Sequence, residues 1–177
     1  MNRERFIDHV RAQQDPLRRF LLGLCSGDAA LADDIAQDAL VRAYVASGSF
    51  LGLSKFSTWL FRIAYNCYVD HLRKPVRETV STDHSEALHI ASSDTSDAAF
   101  RYQQLYQALE KISEKERAAI VLHYFEDRSI REISAVLQIP AGTVKSRMNK
   151  AKKLLKEKLQ YGEDGIRYIA ETIPDAR

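Results

Sequence analysis

Apolar residues along this chain recur mostly at three- and four-residue spacing, the pattern of helices that bury one stripe. Nowhere does the pattern alternate long enough to suggest a ladder of strands. Asp15-Pro16 reads as an N-cap followed by proline at the first helical position, which predicts a helix running to about Cys25. Ser26-Gly27-Asp28 breaks that helix. Leu31, Ile35, Leu40 and Val41 define a second amphipathic helix to about Ala46, and Ser47-Gly48-Ser49 begins a loop reaching roughly to Ser54. A third helix holds Trp59, Leu60, Ile63, Tyr65, Val69 and Leu72, and ends near Arg73.

After Lys74-Pro75 the character changes. From Glu78 to Asp97 the chain is rich in Ser, Thr, Asp and His, with no Lys or Arg between Arg77 and Arg101. That is the composition of a flexible acidic linker. Helical periodicity resumes near Ala98 and lasts to about Leu159. Ser113-Glu114-Lys115-Glu116 and Ser129-Ile130-Arg131-Glu132 both fit the S-x-x-E capping box, in which serine and glutamate satisfy backbone donors at a helix start. The expected architecture is all-α: two helical domains joined by an acidic tether, with no internal repeat.

The carboxy-terminal half carries the sharper chemistry. A short helix with Ile130, Ile133, Val136 and Leu137 precedes the connection Gln138-Ile139-Pro140-Ala141-Gly142. A longer helix follows, with Val144, Met148, Ala151 and Leu155 on one face. Two helices joined by so short a turn match a helix-turn-helix, whose second helix enters the major groove. From Thr143 to Lys158 there are seven bases (Lys145, Arg147, Lys150, Lys152, Lys153, Lys156 and Lys158) and one acid, Glu157. Such a face neutralises phosphates. Lys145, Ser146 and Asn149 fall on its exposed side early in the helix and can donate to base edges.

The amino-terminal half combines an acidic helix with an aromatic and basic one. No Lys or Arg lies between Arg19 and Arg42, whereas Asp28, Asp33, Asp34 and Asp38 do. Asp34 and Asp38 project from one helical face beside Gln37. That face would repel DNA and suits a basic protein partner. Compensation of the helix dipole accounts for Asp33 and Asp34 but not easily for Asp38. In the third helix region, Phe50, Phe56, Trp59, Phe61, Tyr65 and Tyr68 interleave with Lys55, Arg62, Arg73 and Lys74. Aromatic faces stack bases while cations hold phosphates, so this mixture suits an unpaired strand. Burial of the aromatics in a core explains the same composition equally well.

Composition narrows the classes further. The chain has 177 residues, 45% hydrophobic and 28% charged, enough to bury one mid-sized core or two small ones. A formal net charge of +2 is nearly neutral, so the distribution of charge carries the information. Cys25 and Cys67 lie far apart without CxxC spacing, which favours two reduced, buried thiols over a disulfide or metal site. Leu17–Leu24 is too short and too interrupted to span a bilayer, and the first residues lack the apolar run of a signal peptide, so a cytoplasmic location is expected. His9, His71, His84, His89 and His123 form no metal-ligand spacing, and no nucleophile motif or phosphate loop is present, so neither enzyme activity nor a cofactor is expected.

Three stretches add a resemblance: Asp33-Asp-Ile-Ala-Gln-Asp-Ala-Leu-Val-Arg-Ala-Tyr44, Phe56-Ser-Thr-Trp-Leu-Phe-Arg-Ile-Ala-Tyr-Asn66 and Ile139-Pro-Ala-Gly-Thr-Val-Lys-Ser-Arg147. In this order, across roughly residues 6–159, they resemble the signatures of the extracytoplasmic-function (ECF) subfamily of sigma-70-type RNA polymerase sigma factors. The resemblance implies a sigma-2 domain over residues 1–75, a linker over 76–98 and a sigma-4 domain over 99–160. It leaves a tail, 161–177, without assignment. It also implies that Asp34, Gln37 and Asp38 dock on the beta-prime clamp of the core polymerase, and that sigma-4 meets the beta flap. Phe50, Lys55, Trp59, Arg62, Tyr65, Asn66, Arg73 and Lys74 would then engage and open the −10 element, with the Phe50–Ser54 loop and Asn66 capturing a flipped base. Thr143, Lys145, Ser146, Arg147, Asn149 and Lys150 would read the −35 element. Promoter DNA, core polymerase and an anti-sigma factor are the implied partners, and the acidic linker would enter the RNA path. Asn149 and the apolar loop Leu51-Gly52-Leu53 depart from the usual family pattern, which bears on promoter preference. The rival readings are a repressor or activator with a helix-turn-helix output, and a nucleic-acid-processing enzyme.

Overall fold

The computed structural model describes residues 1, 3–73 and 96–158, and seven α-helices account for nearly all of them. They are α1 (Arg3–Leu24), α2 (Ala29–Ala46), α3 (Phe56–Arg73), α4 (Ser96–Glu110), α5 (Glu114–Tyr124), α6 (Ile130–Leu137) and α7 (Ala141–Lys158). No strand occurs among the described residues. The all-α expectation holds.

The first helix differs from its sequence reading. Asp15-Pro16 does not start it; α1 is continuous from Arg3, with Pro16 inside. Proline in a helix interior removes one hydrogen bond and costs ~3 kcal/mol. Here the carbonyl it orphans belongs to Ala12, which is solvent-exposed and can bond to water. Burial of Phe6 on one side of Pro16, and of Leu17, Phe20, Leu21 and Leu24 on the other, holds the two halves in register. Each fully buried side chain of this size contributes ~1.5–3 kcal/mol, so packing outweighs the local penalty.

The break after α1 follows its residues. Ser26 and Gly27 take positive φ of 53° and 92°, and Asp28 then caps α2 by accepting from the Leu31 amide at 3.0 Å. Gly27 also lies flat against the Tyr106 ring, where a Cβ would come within 3.0 Å. Ser47–Ser49 extends α2 as a single 3-10 turn rather than opening directly into loop. Val41, expected in the α2 core stripe, is 62% exposed; Ala32, Ile35, Ala39 and Ala43 form that stripe instead. Leu72 is likewise exposed at the end of α3.

In the carboxy-terminal half, Ser129 forms the expected capping box with Glu132. Ser113 does not. It stands at the N-cap of α5, but its hydroxyl donates to the Glu116 carboxylate, which reaches on to Lys150 Nζ at 2.6 Å. Gln138 ends α6 in the left-handed region at φ 54°, and Ala141 and Gly142 are already the first turn of α7. The helix-turn-helix connection is therefore only Gln138–Pro140.

The two halves share one apolar core rather than standing apart. Helix α5 lies against α1, and α6 lies against α3. They approach closely at Gly23, where an added Cβ would stand 2.7 Å from Val121 Cγ1 and 3.3 Å from Phe125 Cε2. Polar contacts cross the same seam. Arg117 donates to the Leu24 carbonyl at 2.7 Å, and the buried Glu126 carboxylate receives Arg19 at 3.2 Å. Tyr68 donates to the same Leu24 carbonyl at 3.1 Å.

Candidate nucleic-acid interface

Helix α7 divides cleanly into two faces. Val144, Met148, Ala151 and Leu155 are buried against α5 and α6. Lys145, Ser146, Asn149 and Lys150 are exposed, while Thr143 and Arg147 are half-buried. Four of the six residues expected to read a duplex thus face solvent along one side of the helix. Lys150 is partly engaged by Glu116, and this ion pair braces α7 on the start of α5. That bond, Ser113 hydroxyl and all, draws the Glu116 carboxyl below the usual carboxylate range even though burial opposes it.

The aromatic residues around α3 separate into two groups. Phe56, Phe61 and Tyr68 are core, so the core reading applies to these three. Phe50, Trp59 and Tyr65 are only half-buried. Phe50 and Trp59 pack 5.0 Å apart at 45°, with Phe56 beneath both at 5.8 and 5.5 Å. This builds a shallow aromatic shelf at the start of α3. Asn66 and Arg73 are exposed further along the helix; Lys74 lies outside the described residues. Burial pushes the Tyr65 hydroxyl up from its ordinary value while Arg147, approaching from α7, pulls the other way.

Two cations of this region are already occupied. Lys55 Nζ sits 2.8 Å from Glu132 Oε1, and the Arg62 guanidinium gives two hydrogen bonds, of 3.0 and 2.7 Å, to the Ala135 carbonyl. Glu132 and Ala135 belong to α6. Lys55, together with the cap bonds from Ser129, brings the Glu132 carboxyl down to about 2. Arg128 completes the contact by reaching the Ser57 hydroxyl at 3.3 Å and lying 4.9 Å over the Phe61 ring.

The acidic face is where the sequence places it. Asp34, Gln37 and Asp38 are all exposed on α2. Asp38 is held by Arg42 at 2.9 Å, and Arg42 also bonds Asp70 of α3 at 2.7 Å. Asp33 pairs with Arg18 instead. The same side of α2 continues into Val41 and Val45, with Tyr44 beside them, all more than half exposed. Leu51 and Leu53, in the loop that follows, are 79% and 90% exposed. Sequence reasoning assigned Val41 to the core and so missed this apolar extension; its i, i+3, i+7, i+11 run from Asp34 was the available signal. The acidic linker proposed for the RNA path and the tail 161–177 lie outside the described residues, apart from the first residues of α4.

Comparison with known proteins identifies the family. The family model for sigma-70 region 2 matches residues 9–78, and that for sigma-70 region 4 matches 102–155. The chain is 32% identical over 171 residues to the ECF RNA polymerase sigma factor SigW of Bacillus subtilis, covering 90% of this chain and 91% of the relative. It is 34% identical over 145 residues to the RNA polymerase sigma-H factor of Pseudomonas aeruginosa, covering 75% of each. Among solved structures, the sigma factor RpoE from Bartonella quintana, crystallised with the anti-sigma factor NepR, superposes with a TM-score of 0.73 at 28% identity. That match covers 89% of this chain and 98% of the other. CnrH, solved in complex with the cytosolic domain of CnrY, shares the fold with a TM-score of 0.67 at 23% identity, covering 88% of each chain. With an acidic α2, an aromatic and basic α3 and a helix-turn-helix ending in α7, the chain belongs to the ECF sigma factors of the sigma-70 family, the subunits that direct RNA polymerase to promoters.

Proposed function

We propose that this chain performs promoter recognition with a division of labour among three helices, and has no catalytic activity of its own. Residues 1–75 act as sigma-2, 76–98 as the tether and 99–160 as sigma-4. The α2 face of Asp34, Gln37 and Asp38, extended by Val41 and Val45, docks on the polymerase beta-prime clamp. An acidic stripe that runs into exposed apolar side chains suits a basic protein surface better than DNA. Phe50, Lys55, Trp59, Arg62, Tyr65, Asn66, Arg73 and Lys74 engage the −10 element. The aromatic shelf of Phe50 and Trp59 offers stacking to an extruded base, which offsets part of the few kcal/mol that unstacking costs. Thr143, Lys145, Ser146, Arg147, Asn149 and Lys150 read the −35 element from the major groove.

The observation that carries this reading is the two-faced α7: four apolar residues buried on the helix-turn-helix core, with Lys145, Ser146, Asn149 and Lys150 turned outward. The chain works in the cytoplasm, where polymerase and template are. An anti-sigma factor is its regulatory partner, a reading supported by the similar sigma factor RpoE of Bartonella quintana, which was crystallised with the anti-sigma factor NepR. Run-off transcription with purified core polymerase tests the assignment. Transcripts from a defined start that require this chain are expected; core polymerase that initiates no differently with and without it would overturn the reading.

A further inference from the structure

Ser113 stands at the N-cap of α5 yet caps nothing with its side chain; its hydroxyl donates instead to Glu116 Oε2. The other oxygen, Oε1, takes Lys150 Nζ of α7 at 2.6 Å. The two ends of this ion pair differ in their surroundings. The Glu116 side chain is 9% exposed, whereas the Lys150 side chain is 68% exposed. A carboxylate packed into a helix start and bonded by a neighbouring hydroxyl has one position, so the ammonium it holds is fixed too, with its outer side open. Lys150 stands one turn beyond Ser146 on α7 and next to Asn149, both exposed. Among the described residues, no other base on α7 pairs with an acid.

An ammonium on a flexible four-carbon stem ordinarily settles on the nearest phosphate, a contact that adds affinity on every sequence. Paired with Glu116, Lys150 belongs to a group of zero net charge and has little to offer a phosphate. It still has donors to spare, because an ammonium carries three N–H groups and Glu116 takes one. Donors held still at the edge of a groove suit a base acceptor, above all O6 and N7 of guanine, which lysine reads in the major groove.

We propose that Glu116, itself buried on α5, is a positioning residue for −35 recognition: it holds Lys150 as a donor to a guanine edge and withholds it from the phosphate backbone. The proposal rests on the assignment of α7 to the −35 element made above.

Core polymerase with the full chain selects duplexes from a library randomised over both promoter elements. The recovered −35 sequences are compared for wild type, Lys150→Ala and Glu116→Gln. Wild type should favour guanine at a position where Lys150→Ala does not. Glu116→Gln should reduce the preference at that same position about tenfold while the other positions keep theirs. The salt dependence of binding to a mixed-sequence duplex is measured in parallel on the full-length chain. With its charge already matched, Lys150→Ala should leave the slope of log affinity against log salt as in wild type. Glu116→Gln should steepen it by about 0.9, and combining it with Lys150→Ala should restore the wild-type slope. Circular dichroism checks folding; if Glu116→Gln is not folded, Glu116→Ala, with the high helix propensity of alanine, takes its place.

Unchanged preferences in Lys150→Ala or in the Glu116 variant overturn the proposal. So does a Glu116 variant that blunts every position alike, which is the mark of a merely structural role, or one whose salt slope stays at the wild-type value. A slope about 0.9 shallower in Lys150→Ala also overturns it, because Lys150 would then be a phosphate clamp. If wild type recovers no shared −35 sequence, the promoter reading beneath falls as well; if it recovers one that the Glu116 variant shares in full, the proposal falls alone.

Discussion

Glu126 is a carboxylate with almost no access to water, just beyond the end of α5. Burial pushes its carboxyl up to about 7, against the pull of Arg19 and then Arg128. An acid whose value rises on folding stabilises the folded state most below its unfolded value, near 4.5. That contribution is lost as pH climbs through 7. We therefore expect the stability difference between wild type and Glu126→Gln to shift against wild type as pH rises from about 5 to about 8. Urea unfolding at several pH values measures it, and a difference independent of pH would show that Glu126 stays ionised throughout. The thiols behave in the same direction: burial raises Cys25 to about 12 and Cys67 to about 11, so both should react slowly with thiol reagents in the native chain. Rapid modification of either at neutral pH would contradict its burial.

At the level of the helix, local rules succeeded where a residue's partner lies within one turn. Ser26-Gly27-Asp28 ended α1 as written, because left-handed backbone and an N-cap are decided by neighbours. The Ser129 box formed for the same reason. Ser129→Ala should cost about 1 kcal/mol in chemical denaturation, since it removes the acceptor for the Glu132 amide; no measurable loss would mean the cap is redundant. Local rules failed where distant packing won. Pro16 looks like a helix start until Phe6 and Leu17 are seen to share a core, and Ser113 turns its hydroxyl to a glutamate that is itself drawn toward Lys150. The outward face of α7 was legible because its apolar spacing is unbroken. Lys145→Ala should weaken binding to a −35 duplex by roughly 1–3 kcal/mol if the lysine contacts a base. An equal loss on every sequence would reassign it to phosphate.

Across the whole molecule, what the sequence could not convey is the seam. Arg19 and Glu126 are 107 positions apart, and no periodicity marks either as a partner of the other. Gly23 reads as an ordinary interruption of an apolar run; only the approach of Val121 makes it matter. The acidic face, by contrast, was readable from the absence of bases around it and is exposed on the folded chain. Asp38→Arg reverses charge where Arg42 already bridges to Asp70, so it should abolish co-purification with core polymerase while the chain stays folded. Retained co-purification would move the docking face elsewhere.

The Glu132 carboxylate serves two masters with its two oxygens: Oε2 accepts from the Ser129 backbone at the start of α6, and Oε1 holds Lys55. Glutamine can still supply the first of these, because the cap needs only an acceptor. It supplies no charge for the second. Glu132→Gln should therefore loosen the hold of α6 on Lys55 without eroding the helix-turn-helix.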